Sequence, residues 1–242
     1  LLVKRKDHPF IHDWAMPGGF VNFDEDLDTA MKRELEEETN LFDSTYFRQL
    51  YTFGNADRDP RTRVITTVYL SMTPAENIKM TSAGDDAMDT GWFTIQKIAT
   101  TTDGHERKSV LMLDEEEKGI HLRYEIYDTA CDNYVQTRSK LLDSSNAKLA
   151  ADHIKAINMA IDVVRNRAAS TGIMFNLLPK ECTLREIQEV YEAIVNHPVD
   201  TGNFRRDIKK MLVATGNTTI VNGRKVATYS FNPLLPFVKE TL

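Results

Sequence analysis

Cysteine is scarce in this chain of 242 residues. The two present, Cys131 and Cys182, stand far apart and without metal-ligand spacing. That argues against a disulfide framework and reads as free thiols in a reducing, cytoplasmic compartment. Long apolar runs are also missing. Nothing approaches the ~20 residues that a spanning helix needs, and no secretory leader is visible, so no membrane partner is expected. Net positive charge is absent too, the formal balance being −6. The chain as a whole gives no sign of nucleic acid, and any basic surface has to be local. The sequence does not start with Met, and Leu1-Leu2-Val3 ahead of Lys4-Arg5-Lys6 reads as a strand leaving a core, which implies a further strand before it. What remains, 41% hydrophobic and 27% charged residues, is ordinary for one large or two small globular domains.

The most informative stretch is Gly19 to Leu41, a glycine-ended loop running into an acidic helix. Wound at about 100° per residue, Leu27, Ala30, Met31 and Leu41 share one side, the expected core stripe. Glu34 and Glu38 fall in the middle of that side and Glu37 at its edge, whereas Glu36 lies opposite. Carboxylates aimed inward need a partner, because an unpaired buried charge is costly. A hard divalent cation with oxygen ligands suits three of them. The spacing Gly19, five residues, Glu25, seven residues, Arg33-Glu34-Leu35-Glu36-Glu37-Glu38, then Leu41 resembles the Nudix box. One position departs: Asn40 stands where the box has its last glycine, and Asn is the next most tolerant residue for a left-handed helix end.

Upstream, Trp14-Ala15-Met16-Pro17-Gly18-Gly19 ends a strand in a tight turn, where the glycines let the backbone approach a ligand or metal. Downstream, Phe47–Phe53 and Arg63–Leu70 read as strands. The loop between them holds Arg58, Arg61 and Arg63 alternating with Asp57 and Asp59 around Pro60. Composition leaves a salt-bridged loop and a phosphate clamp equally open. The phrase YTFGNADRDPRTRVITTVYL resembles the ADP-ribose-handling branch of the Nudix family, which favours a clamp of Arg58, Asp59, Arg61 and Arg63. Asp85 and Asp86, ahead of Gly91-Trp92-Phe93, read as metal or ribose contacts or equally as turn residues. Ser109–Met112 and His121–Tyr127 read as paired strands around an acidic turn, and neither that turn nor Glu106 is favoured as a further metal carboxylate. Residues 128 to 145 carry no clear signal. From Asn146 to about Arg167 the pattern is helical, and His153 on it reads as a core or surface histidine.

After a break at 168–172 the pattern changes. Thr183 and Glu186 form a capping-box signal for a helix to about Asn196. Asp200 reads as the N-cap of a second helix from Asn203 to about Leu212. Thr218–Val221, Asn222-Gly223 and Arg224–Phe231 form a hairpin. Helix, turn, helix and basic-tipped hairpin is the layout of a winged helix. Arg205, Arg206, Lys209, Lys210, Arg224 and Lys225 gather there with Asn203, against Asp207 alone. A DNA surface and a solvated protein-docking wing both fit these residues; in a helix-turn-helix the second helix enters the major groove.

The whole chain resembles the Nudix-related transcriptional regulators, the NrtR family, most closely over residues 1 to 93 and 173 to 212. The resemblance implies a Nudix α/β/α sandwich with a mixed sheet over residues 1–167 and a small winged helix-turn-helix domain over 173–242, an α+β or α/β chain. It implies a bacterial repressor that senses ADP-ribose or a related nucleotide sugar and binds a palindromic double-stranded operator as a homodimer, in control of NAD metabolism or sugar use. Carried over by position, Glu34, Glu37, Glu38 and the Gly18 carbonyl would hold Mg²⁺ or Mn²⁺. Arg33 would brace Glu37, and Glu25 would order the loop. Since the box is intact, a working ADP-ribose pyrophosphatase, with Glu34, Glu38 and Arg33 as its catalytic set and the winged helix as an interaction module, is the alternative.

Overall fold

The computed structural model describes residues 1–39, 46–80 and 87–232. In chain order the strands and helices of its first part are β1 (Leu2–Arg5), β2 (Trp14–Ala15), α1 (Leu27–Thr39), β3 (Tyr46–Phe53), β4 (Thr66–Met72), β5 (Ala87–Gly91), β6 (Thr94–Asp103), β7 (Glu106–Glu115), β8 (Ile120–Cys131), β9 (Tyr134–Leu141) and α2 (His153–Ala168). Then follow α3 (Leu184–Val195), α4 (Thr201–Ile208), β10 (Leu212–Val221) and β11 (Arg224–Phe231). The strands fall into sheets ordered β2-β1-β5, β3-β4, β6-β7-β8-β9 and β10-β11. Their ladders are antiparallel, and a parallel bridge joins Trp14 to Leu149.

Alternation builds the first core. Leu111 and Leu113 on β7 and Leu122, Tyr124 and Ile126 on β8 point to one face and are buried, as a period of two requires. Trp14, Phe93, Leu149, Ile154 and Ile157 cover that face. Trp14 and Phe93 meet edge to face with centroids 5.0 Å apart. The Tyr124 hydroxyl accepts the Leu149 N–H at 2.7 Å, which gives a buried phenol its partner. Residues 128 to 145 turn out to be the end of β8, a turn with Asp132 at φ 35°, and β9. Most of β9 is exposed, so its hydrophobic alternation is weak and the sequence hid it.

The helix read from Asn146 begins only at His153. Asn146 instead accepts the His121 N–H through its side chain, Leu149 bridges to Trp14, and Ala151 takes a positive φ of 44° before the helix starts. α2 is pinned to the sheet by Lys97 of β6, which is buried and donates to both oxygens of Asp162 at 2.8 Å. Asp128, also buried, lies 3.8 Å from the same ammonium.

The second core gathers Met174, Leu178, Cys182, Ile187, Phe204, Ile208 and Met211. Thr183 and Glu186 form the expected capping box on α3, and Asp200 caps α4 by accepting the Asn203 N–H at 2.8 Å. Asn222 and Gly223 both have positive φ, as a tight hairpin turn requires. The second helix is shorter than the sequence suggests. It ends at Ile208, and Lys209–Met211 form a 3-10 turn, because Met211 enters the core and β10 starts at the next residue. Lys209 and Lys210 therefore sit past the regular helix, in the 3-10 turn rather than on the second helix itself. Gly172 lets the ends of this domain meet: a Cβ there would lie 2.4 Å from the Phe231 ring.

Among the described residues no helix is long and apolar enough to cross a membrane. The buried Lys97–Asp162 pair generates a stability prediction. Lys97→Met leaves Asp162 without its cation, while Asp128 keeps Arg107 and Thr137, and costs roughly 1–3 kcal/mol in denaturant unfolding. Lys97→Met with Asp162→Leu recovers a measurable part of that loss.

Candidate functional site

α1 begins where Asp26 accepts the Thr29 N–H at 2.8 Å, a side-chain cap that also holds the Asp26 carboxyl below its ordinary range. Ala30 is buried and Met31 half-buried, but Leu27 of the expected stripe is exposed. Asn40 and Leu41, the end of the box, lie outside the described residues, as do Asp85 and Asp86. Tyr69 of β4 donates to Asp28 at 2.8 Å. Burial, helped by Asp28, pushes that phenol up to about 12.

Arg33 is the centre of the helix. Its Nε donates to Glu25 at 3.0 Å, one terminal nitrogen to Glu34 at 2.8 Å and Glu37 at 3.1 Å, and the other to the Phe20 carbonyl at 3.1 Å as well as to Glu25. One planar fork with five donors can do this and an ammonium cannot. The Arg33 fork and the Asn22 N–H hold the Glu25 carboxyl down at about 2, and the carboxylates raise Arg33 further above its already high value. The Nudix resemblance implies the Glu37 brace and Glu25 ordering the loop; the contacts to Glu34 and Phe20 are additional.

The glycine loop lies directly on these acids. The Gly18 N–H donates to Glu38 at 2.8 Å. Gly18 has φ 150°, a conformation side chains disfavour. A Cβ on Gly19 would fall 2.3 Å from a Glu34 oxygen. Glu34, Glu37 and Glu38 are hard oxygen donors of the kind Mg²⁺ takes, and the close glycine backbone suits such an ion. As placed, Glu34 and Glu37 turn onto Arg33, and no group of three or more such side chains converges into a cage among the described residues. Glu37 is largely exposed. Joint coordination therefore requires these side chains to rotate.

The arginine loop divides. The Arg58 side chain is nearly covered and donates through two nitrogens to Asp152, at 2.8 and 3.3 Å, and to Thr66. Arg61 closes a local fork on Asp59 at 2.8 and 3.1 Å and holds that carboxyl at about 2. Arg63 reaches the Gly54 carbonyl. Arg61 and Arg63 are exposed, so they are the accessible cations of the loop. Glu106 pairs with Arg138 at 2.8 Å and Asp114 with His121 and Arg123; both belong to the four-stranded sheet.

Two residues at the start of α2 make contacts that the sequence does not show. Asp152 holds Arg58, and His153 Nδ1 accepts the Met16 N–H at 3.0 Å. That bond needs a neutral imidazole, and burial drives His153 down to about 4. The pair thus connects the arginine loop to the backbone two residues before Gly18.

In the second core's domain, Phe204 and Ile208 face inward from α4. Asn203, Arg205, Arg206, Lys209 and Lys210 are exposed, as are Arg224 and Lys225 beside the hairpin turn. Arg206 meets Asp207 at 3.1 Å, both largely exposed, a contact of little strength.

The model of the NUDIX domain matches residues 1–113, and the model of the NrtR DNA-binding winged helix domain matches residues 174–231. The chain carries a Nudix domain and an NrtR winged helix domain. It is 26% identical over 235 residues to the ADPR responsive transcriptional repressor NtrR of Acinetobacter baylyi, spanning 96% of this chain and 74% of that protein. The Nudix part is 36% identical over 107 residues to the ADP-ribose pyrophosphatase of Methanocaldococcus jannaschii, 44% of this chain and 61% of that protein. The fold is that of Shewanella oneidensis NrtR complexed with a 27mer DNA, with a TM-score of 0.62 at 24% identity over 96% of this chain and 85% of that one. The Nudix box is thus the α1 corner, and the winged helix carries the basic α4 and hairpin.

The Nudix contacts generate two predictions. Arg33→Lys keeps the charge but loses the fork, so amide exchange at Asn22 and Glu25 accelerates and the thermal midpoint falls. For His153 the sign is set by its depressed value. Between pH 6.5 and about 4 the unfolded chain binds a proton that the folded chain refuses. Stability is therefore full above the unfolded value and falls with pH through that window, by up to roughly 3 kcal/mol. Urea unfolding of His153→Gln at pH ~7 and pH ~4.5 shows a smaller difference between the two conditions than the wild type.

Proposed function

We propose that this chain is a transcription regulator whose Nudix domain binds ADP-ribose, or a related nucleotide sugar, and so controls operator binding by the winged helix. The observation that carries the reading is the exposed basic surface of α4 and the β10–β11 turn, joined in one chain to an acidic corner built on the Nudix box. The domains are taken as residues 1–167 and 173–242, acting in the cytoplasm as a homodimer on a palindromic duplex. Arg61 and Arg63 meet the ligand's phosphates, Asp59 orienting Arg61 through their fork, with Arg58 behind them. Glu34, Glu37, Glu38 and the Gly18 carbonyl are the residues that would hold Mg²⁺ or Mn²⁺. Such an ion supplies charge neutralisation at phosphate oxygens, while Arg33 and Glu25 keep the glycine loop against the helix.

On the DNA side, lysines and arginines neutralise phosphates and release counterions, so binding falls steeply with salt. Fluorescence anisotropy on the duplex upstream of the chain's own gene, with and without ADP-ribose, tests the reading: a salt-dependent complex whose affinity shifts with the nucleotide is expected. Absence of any binding, or binding indifferent to the nucleotide, overturns it. Replacing Lys209 and Lys210 together by Ala weakens binding to all duplexes alike and leaves ADP-ribose affinity unchanged. It also lowers the salt slope by about one for each phosphate no longer neutralised.

A second reading has its own support in the retained carboxylate set and the pyrophosphatase likeness of the first domain. In it the chain hydrolyses the pyrophosphate of ADP-ribose, with Glu34, Glu38 and Arg33 as the catalytic set. Release of AMP with Mg²⁺, abolished by Glu38→Gln, is the expected outcome; a wild-type chain without turnover removes this reading and leaves the regulator standing.

A further inference from the structure

Gly202 sits inside the first turn of α4, and nothing among the described residues asks for glycine there. Its backbone is helical, without the positive φ that Gly216 and Gly223 adopt. A Cβ on Gly202 would meet only the Asp200 carboxylate, at an ordinary contact distance of 3.4 Å. Gly19 and Gly172 differ, since an added Cβ would collide with Glu34 or Phe231. Within a helix glycine is disfavoured relative to alanine by its extra backbone entropy. No contact among the described residues therefore accounts for Gly202.

Its position on the helix supplies a reason. Phe204 and Ile208 mark the buried side. At about 100° per residue, Gly202 and Arg206, four apart, fall on the opposite side, with Asn203 and Arg205 as flanks. The outward ridge of α4 thus carries a bare backbone followed, one turn on, by an exposed guanidinium. The surrounding exposed cations Arg205, Lys209, Lys210, Arg224 and Lys225 complement a polyanion. Arg206 is restrained by a surface contact to Asp207, weak enough for the guanidinium to exchange that carboxylate for another acceptor.

We infer that Gly202 and Arg206 form the groove-facing ridge of α4, Gly202 letting the helix backbone seat against double-stranded DNA and Arg206 reading a guanine edge through its fork. This rests on the regulator reading and adds to it which residues confer sequence preference. An arginine matches the paired acceptors of guanine in the major groove, and a lysine at the same place keeps charge without that geometry.

The test compares the full-length wild type, Gly202→Ala and Arg206→Lys on the chain's own upstream duplex and on a random duplex of equal length. Gly202→Ala is expected to melt at or above the wild-type temperature, keep ADP-ribose affinity, and bind the upstream duplex tenfold or more weakly. Arg206→Lys is expected to keep its affinity for random DNA and its salt slope while its preference for the upstream duplex falls tenfold or more. A smaller effect in either variant, or a lowered melting temperature for Gly202→Ala, overturns the assignment for that residue. A wild type that binds neither duplex removes the regulator reading itself, a result distinct from variants that bind like the wild type.

Discussion

Asp152 stands where a helix cap is wanted, yet its side chain caps nothing. Its carboxylate goes to Arg58 instead. A missing cap costs about 1 kcal/mol, and a two-point charge-assisted contact in a half-dry site is stronger than a neutral hydrogen bond. The exchange ties the arginine loop to α2. The next residue, His153, ties the strand end at Met16 to the same turn, and from there two residues lead to Gly18 and its bond to Glu38. Further along, Asp162 fastens α2 to Lys97. A helix of 16 residues, about 24 Å long, thus carries at one end the connections to both the arginine loop and the glycine loop.

Charge is segregated within a chain whose total is only modestly negative. α1 and its loop concentrate carboxylates around one cation, Arg33, whose fork reaches three of them. The winged helix concentrates cations on and after α4, where Asp207 is an exposed counter-charge to Arg206. Each region is electrostatically incomplete in the opposite sense, the first suited to a hard cation and the second to phosphate. A summed net charge averages them and conceals both, so local pattern carried the functional information here.

Legibility followed locality. The Nudix box, the Thr183–Glu186 capping box, the Asp200 cap and the Asn222-Gly223 hairpin each depend on residues close in sequence, and their fixed spacings are visible there. The Arg58–Asp152 pair joins positions far apart in the chain, so nothing nearby in the sequence reveals it. α2 starts late because Asn146 and Leu149 serve the sheet, although their apolar and polar spacing continues a helical pattern. β9 escaped because an exposed edge strand needs little alternation. The carboxylates were read as facing inward; Glu37 is instead largely exposed, held by a pairing with Arg33 that spacing does suggest.

A ligand can change DNA affinity only if it binds two arrangements of the protein unequally. The contacts at the far end of α2 show what an arrangement consists of. Arg165 donates to the Lys97 carbonyl on β6 at 3.1 Å and to the Ile194 carbonyl near the end of α3 at 2.9 Å. The second of these satisfies a carbonyl left over at a helix terminus. One guanidinium therefore spans the Nudix sheet and the winged helix. Rotating the winged helix against the sheet breaks one bond or the other, and a broken bond at a partly buried carbonyl has to be replaced by water or another donor. The same helix meets Arg58 at its start, where the Asp152 carboxylate stands at the N-cap position but is committed to the guanidinium. α2 thus makes a charged contact with the arginine loop at its start and, through Arg165, contacts with both the sheet and α3 near its end.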